Sequence, residues 1–86
     1  MVCRIEWRPR ARKAFLALDK SVRLRIAAVV DKLAGDPRPA GVKALTGMPG
    51  VFRIRVADSY RVLYTIDDTV LLVLVVDVGH RREIYR

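Results

Sequence analysis

The chain has 86 residues and a formal net charge of +8, from 17 basic side chains against 9 acidic ones. That length suits one domain around one core, read here as residues 1–86, and is too short for two. With 52% hydrophobic residues the chain should fold rather than stay disordered, while its longest apolar run, residues 70–76, falls far short of the ~20 residues that cross a bilayer.

Thirteen of the basic residues are Arg and four are Lys. Solubility does not need Arg, whose planar fork suits bidentate phosphate contacts and base stacking. The charge therefore points to a polyanion, RNA above all, although an acidic protein partner or a membrane surface would also attract it. The single cysteine, Cys3, excludes an internal disulfide and a thiolate metal site. With His80 as the one histidine, no metal or other cofactor is expected. No apolar core follows the basic residues at the N-terminus, so no signal peptide is read there and a cytoplasmic protein with no membrane partner is expected.

Residues 2–7 alternate with a period of two and predict a first strand. Pro9 suits the first turn of a helix, where its missing N–H costs nothing. Ala11, Ala14, Phe15 and Leu18 then form one apolar stripe. Ser21 is the expected N-cap of a second helix whose buried stripe is Val22, Ile26, Val29, Val30 and Leu33. Gly35 suits the left-handed residue that ends a helix, and the prolines after it confirm the stop. Residues 36–50 hold three of the four prolines and three of the five glycines. They read as a loop with Leu45 and Met48 as anchors.

The C-terminal part reads as β. In residues 51–56, Phe52, Ile54 and Val56 point one way, and Arg53 and Arg55 the other. After a turn at Asp58–Ser59, residues 60–66 alternate again, and Asp67–Asp68 makes the next tight turn. Residues 70–78 are almost wholly aliphatic, as in a central strand buried on both faces. Gly79 ends it, and the tail from residue 80 carries no clear signal. The order predicts an α+β fold: an N-terminal strand, a helical hairpin, and a three-stranded antiparallel meander, with the helices on one face of a small sheet. The other face is left for function.

Arg53 and Arg55 leave one face of a strand about 6.6 Å apart at the backbone, close to the spacing of consecutive RNA phosphates. The same pair also fits an exposed strand that uses charge against aggregation. Arg61, on the next strand, favours an anion, because three neighbouring arginines repel one another without one. Arg81 and Arg82 follow the Gly79 break. Tyr85 offers a ring on which a base can stack, or an aromatic anchor for the core. His80 is structural or a minor candidate for acid–base work. Such a set stabilises a pentavalent phosphate, with a ribose 2′-hydroxyl as nucleophile.

The segments Leu45-Thr46-Gly47, Phe52-Arg53-Ile54-Arg55, Tyr60-Arg61-Val62-Leu63-Tyr64 and Val76-Asp77-Val78-Gly79-His80-Arg81-Arg82-Glu83-Ile84-Tyr85 together resemble the RelE branch of the RelE/ParE toxins of bacterial toxin–antitoxin systems. The resemblance implies a RelE-like domain and a toxin that enters the ribosomal A site and cuts mRNA there, leaving a 2′,3′-cyclic phosphate. It implies a basic strand pair at Arg53 and Arg55, a phosphate clamp at Arg61, a general acid at Arg81 and a stacking tyrosine at Tyr85. It also implies three partners: a cognate antitoxin in a hetero-oligomer, the ribosome and mRNA. The best-studied members carry Lys where this chain has Arg53 and Arg55, and arginine is too basic to accept the 2′-hydroxyl proton. A ParE-type DNA gyrase inhibitor, or a degenerate antitoxin-binding module, are the rival readings.

Overall fold

The computed structural model describes residues 2–84, with side chains as far as Arg82. In chain order the elements are β1 (Arg4–Trp7), α1 (Pro9–Leu16), α2 (Lys20–Gly35), β2 (Lys43–Ala44), β3 (Val51–Val56), β4 (Tyr60–Asp67), β5 (Leu72–His80) and α3 (Arg81–Ile84). The expected meander is present as β3, β4 and β5, all antiparallel. It is the middle of a larger sheet with the order β1-β5-β4-β3-β2. Two pairings complete that sheet. β1 runs parallel to β5, with Ile5 opposite Val73 and Trp7 opposite Val75. β2, inside the segment read as loop, pairs with β3 through only two residues, too few to leave a periodic signature.

The core lies between the helices and one sheet face. Ala11 of α1, Ile26, Val30 and Leu33 of α2, and Val56, Val62, Tyr64, Val73, Val75 and Val78 of the strands form one buried cluster, with Cys3 at its edge. Each aliphatic side chain fully buried there contributes about 1.5–3 kcal/mol. That contribution matters most for α1, whose 8 residues are too few to be helical alone. Trp7 and Phe15 meet with ring centroids 5.0 Å apart. Arg23 reaches back from α2 to donate to the Leu18 carbonyl at 2.7 Å, closing the end of the first helix.

Four local expectations change, the first being that β5 runs past Gly79 and ends at His80. The N-cap of α2 is Asp19 rather than Ser21, and Lys20 already begins the helix. Gly35 remains helical, and the left-handed glycines are Gly41, Gly47 and Gly50 in the following loop. Met48 is exposed, and Val42 packs on the core in its stead.

That loop is fastened to the sheet at its start. The Tyr64 hydroxyl donates to the Pro37 carbonyl at 2.8 Å. Arg38 binds both oxygens of Asp68, at 3.1 and 2.8 Å, and its guanidinium lies 5.9 Å from the Phe52 ring centroid. The Arg38 hydrogen bond holds the Asp68 carboxyl below its usual range. Burial pushes the Tyr64 hydroxyl up to about 12 from an ordinary 10.0. Below the ordinary value Tyr64 is neutral in both states. As pH rises through the window between the two values the unfolded chain loses its proton first, so stability falls. Tyr64→Phe should cost about 1–2 kcal/mol near neutral pH, because the Pro37 carbonyl loses its donor. In denaturant melts the wild-type advantage over Tyr64→Phe should narrow between about pH 10 and about pH 12; an advantage that stays constant contradicts the assignment.

Candidate nucleic-acid interface

Residues directly opposite one another on paired strands share a face. The register therefore sorts the expected site residues. On the face away from the helices, Arg55 of β3 lies beside Arg61 of β4, which lies beside Gly79 of β5. One row along, Lys43 of β2 lies beside Arg53 of β3, then Leu63 of β4 and Asp77 of β5. The structure thus brings Arg53, Arg55 and Arg61 together on one face.

These arginines differ in exposure. Arg55 projects into solvent and Arg53 is half-buried. Arg61 is buried, with only 4% of its surface exposed. Its Nη1 donates to the carbonyls of Asp58 at 2.8 Å and Tyr60 at 3.0 Å. Its Nε is buried with no hydrogen-bond partner among the described residues. Arg61 is therefore as much a structural clamp as a source of positive charge. It holds the β3–β4 turn, in which Ala57 and Asp58 both have left-handed backbone, at φ 50° and 61°. Such a conformation costs an L-residue about 1–2 kcal/mol.

The same turn positions the C-terminal arginines. The Arg81 backbone N–H donates to the Ser59 carbonyl at 2.8 Å, seating the start of α3 beside the turn. Arg81 and Arg82 are both exposed. His80 lies apart from the arginine rows. It pairs with Tyr60 in the register, on the helix-packed side, and meets the Tyr60 ring edge-on at 5.6 Å. Its Nδ1 accepts the Arg82 backbone N–H at 3.2 Å. Tyr85 lies outside the described residues.

A cleft of about 280 Å³ opens beside these residues, lined by Gly41, Lys43, Arg53 and Arg55. Lys43 was missed in the sequence, because nothing in a Pro- and Gly-rich segment reveals that one lysine pairs across from Arg53. A larger hollow of about 520 Å³, between β1 and α1, is lined by Ile5, Glu6, Trp7, Arg12, Phe15 and Leu16. It holds none of the residues expected to carry chemistry. Among the described residues no group of three His, Cys, Asp or Glu side chains comes together to hold a metal ion, and no helix is long and apolar enough to cross a membrane.

The family model described as ParE toxin of type II toxin–antitoxin system, parDE, matches residues 5–85. The chain belongs to the RelE/ParE toxin family. No curated protein matches it. Among solved structures it is similar to a chain of the toxin–antitoxin complex RelBE2 from Mycobacterium tuberculosis, with 25% identity over 94% of this chain and 100% of that one, at a TM-score of 0.82. It is also similar to an E. coli RelE toxin carrying two arginine-to-alanine substitutions, in the free state (28% identity, 99% of this chain, 92% of that one, TM-score 0.82). The isolated E. coli RelE toxin gives 30% identity over 99% and 92% of the two chains, at a TM-score of 0.78. The five-stranded sheet and its helices are thus the RelE toxin fold.

The strained turn yields a test of the geometry around Arg61. Ala57→Gly should relieve the left-handed strain and raise stability by about 0.5–1 kcal/mol, after the glycine's extra unfolded-state entropy is subtracted. Urea unfolding of the two proteins measures it, and an unchanged or lowered stability would mean that the turn is not strained.

Proposed function

We propose that this toxin is an endoribonuclease that cuts mRNA in the ribosomal A site and so stops translation. One observation carries the reading. The face away from the helices holds Arg53, Arg55 and Arg61 on adjacent strands, and Arg81 starts from the end of the third. The similarity to E. coli RelE supports the RelE reading over the gyrase one.

In this account the ribose 2′-hydroxyl attacks the adjacent phosphorus and the 5′-oxygen leaves. Arg55 and Arg53 take the growing charge on the phosphoryl oxygens, an interaction that strengthens toward the transition state. Buried Arg61 contributes positive potential from beneath and fixes the turn. Arg81, exposed beside that turn, stabilises or protonates the leaving oxygen, and Arg82 adds to RNA attraction. Tyr85 stacks a base of the codon. Arginine does not accept the 2′-hydroxyl proton, and His80 lies across the sheet from the arginine rows. We assign the base to a group of the ribosome or mRNA, which agrees with a toxin that needs the ribosome to cut.

The partner in the cell is a cognate antitoxin. The similar RelBE2 structure and the intact E. coli RelBE structure are both toxin–antitoxin complexes. With net charge +8, the toxin favours an acidic segment, whose attraction speeds association. Masking of the arginine face would silence the nuclease.

Cell-free translation with mapped mRNA ends tests the proposal. Arg55→Ala and Arg81→Ala remove exposed side chains, so the fold should survive. Each should lower cleavage by about 100-fold or more. Cleavage at wild-type rate in both variants overturns the site. Inhibited gyrase supercoiling alongside intact mRNA would establish the ParE-type reading instead.

A further inference from the structure

We infer that the cleft between β2 and β3 is a second phosphate subsite, in which Lys43 holds an RNA phosphate next to the scissile one. The inference rests on the reading of this face as an RNA interface, and it adds Lys43 to the residues that touch substrate.

The register places Lys43 directly across from Arg53, and both line the cleft with Arg55. Like charges opposite one another on paired strands destabilise the pairing. An edge strand can use one lysine to deter aggregation, but that role does not require Lys43 to share a cleft with the exposed Arg55. Among the described residues the ion pairs are Arg4–Glu6, Arg10–Asp77 and Arg38–Asp68. None involves Lys43 or Arg55, both of which are exposed. Both side chains are thus open to an anion that enters the cleft.

The cleft also has a built wall. Its far side is the loop carrying Gly41, which turns through φ 89°. The Val42 N–H bonds to the Pro39 carbonyl at 3.2 Å. Just upstream, Tyr64 fastens Pro37, and Arg38 is pinned between Asp68 and Phe52. Lys43 is thus held beside the strand rather than carried on a free loop. Arg53 and Arg55 are spaced at about 6.6 Å along the strand, so a nucleic-acid backbone that meets one row with its scissile phosphate meets the neighbouring row with the next. Lysine, a compact point charge, suits a phosphate that is held but not cut.

The test uses the full chain with Lys43→Ala, Lys43→Arg and Lys32→Ala, the last an equal charge change on the exposed face of α2. The probe is a single-stranded 2′-O-methyl RNA oligonucleotide, which lacks the nucleophile. Lys43→Ala should weaken binding about tenfold, and the salt slope should fall by about 0.7 for the lost phosphate contact. Lys43→Arg should bind as wild type does, and Lys32→Ala should change neither quantity. On programmed ribosomes Lys43→Ala should raise KM about tenfold with kcat within about twofold. RNA binding and salt slope unchanged in Lys43→Ala overturn the subsite. So does a defect seen only with an acidic peptide such as polyglutamate, which would make the cleft a protein contact. If wild type fails to cut mRNA on ribosomes, the nuclease reading falls, while the oligonucleotide measurement still decides the subsite.

Discussion

A buried guanidinium organises the site. Arg61 sits on β4 between Arg55 on one neighbour and Gly79 on the other. Gly79 has no side chain, so the arginine has no competitor for that side of its row. With Nη1 on the Asp58 and Tyr60 carbonyls, Arg61 holds a turn whose backbone would otherwise relax. The turn in turn presents the Ser59 carbonyl to the Arg81 N–H, which sets where α3 begins. One side chain thereby fixes the relation between the strand arginines and the C-terminal ones. Burying a cation without a carboxylate is costly. In this fold the cost is offset in part by two carbonyls, and an RNA phosphate over the same face would offset more.

The sheet divides its labour by parity. Residues of one parity in β3 and β4 build the core with α2, and those of the other carry arginine. Because a slip of one residue would exchange the two faces, the aliphatic core that fixes the register also fixes the positions of the charges. At β5 a bulge between Leu63 and Tyr64 of the partner strand shifts the pairing, so that Val75 and Val78 both reach the core. The exposed ion pairs that do form, such as Arg4 with Glu6 at 2.8 Å, are worth about 0–1 kcal/mol each. They leave the basic excess free to act on partners.

Much of this was legible in the chain. The apolar stripes of α1 and α2, the alternation of β3 and β4, and the aspartates of the β4–β5 turn all report local periodicity or turn chemistry. Asp67 indeed accepts the Thr69 N–H at 3.0 Å. What was hidden depends on long-range pairing. The two residues of β2 have no period to detect. The parallel pairing of β1 with β5 joins segments far apart in sequence. Arg53 and Arg55 were placed on one face by parity, with Arg61 on the next strand, but the burial of Arg61 was not readable, because an arginine's hydrogen bonds to its own turn leave no trace in residue type. The position of His80 across the sheet was hidden as well, because the bulge between Leu63 and Tyr64 shifts the register by one residue and sets His80, not Gly79, opposite Tyr60. Lys43 was invisible for the same reason as β2.

The central claim is that RNA is received on the arginine face of the sheet and not on the helices. A backbone-amide NMR titration of the isotope-labelled toxin with a single-stranded 2′-O-methyl RNA oligonucleotide tests it most directly. The account predicts the largest shifts at Lys43, Arg53, Arg55 and the β3–β4 turn, and at Gly79 through Arg82, with α1 and α2 little changed. Shifts centred on the basic residues of α1 and α2, with the sheet face unmoved, would contradict it.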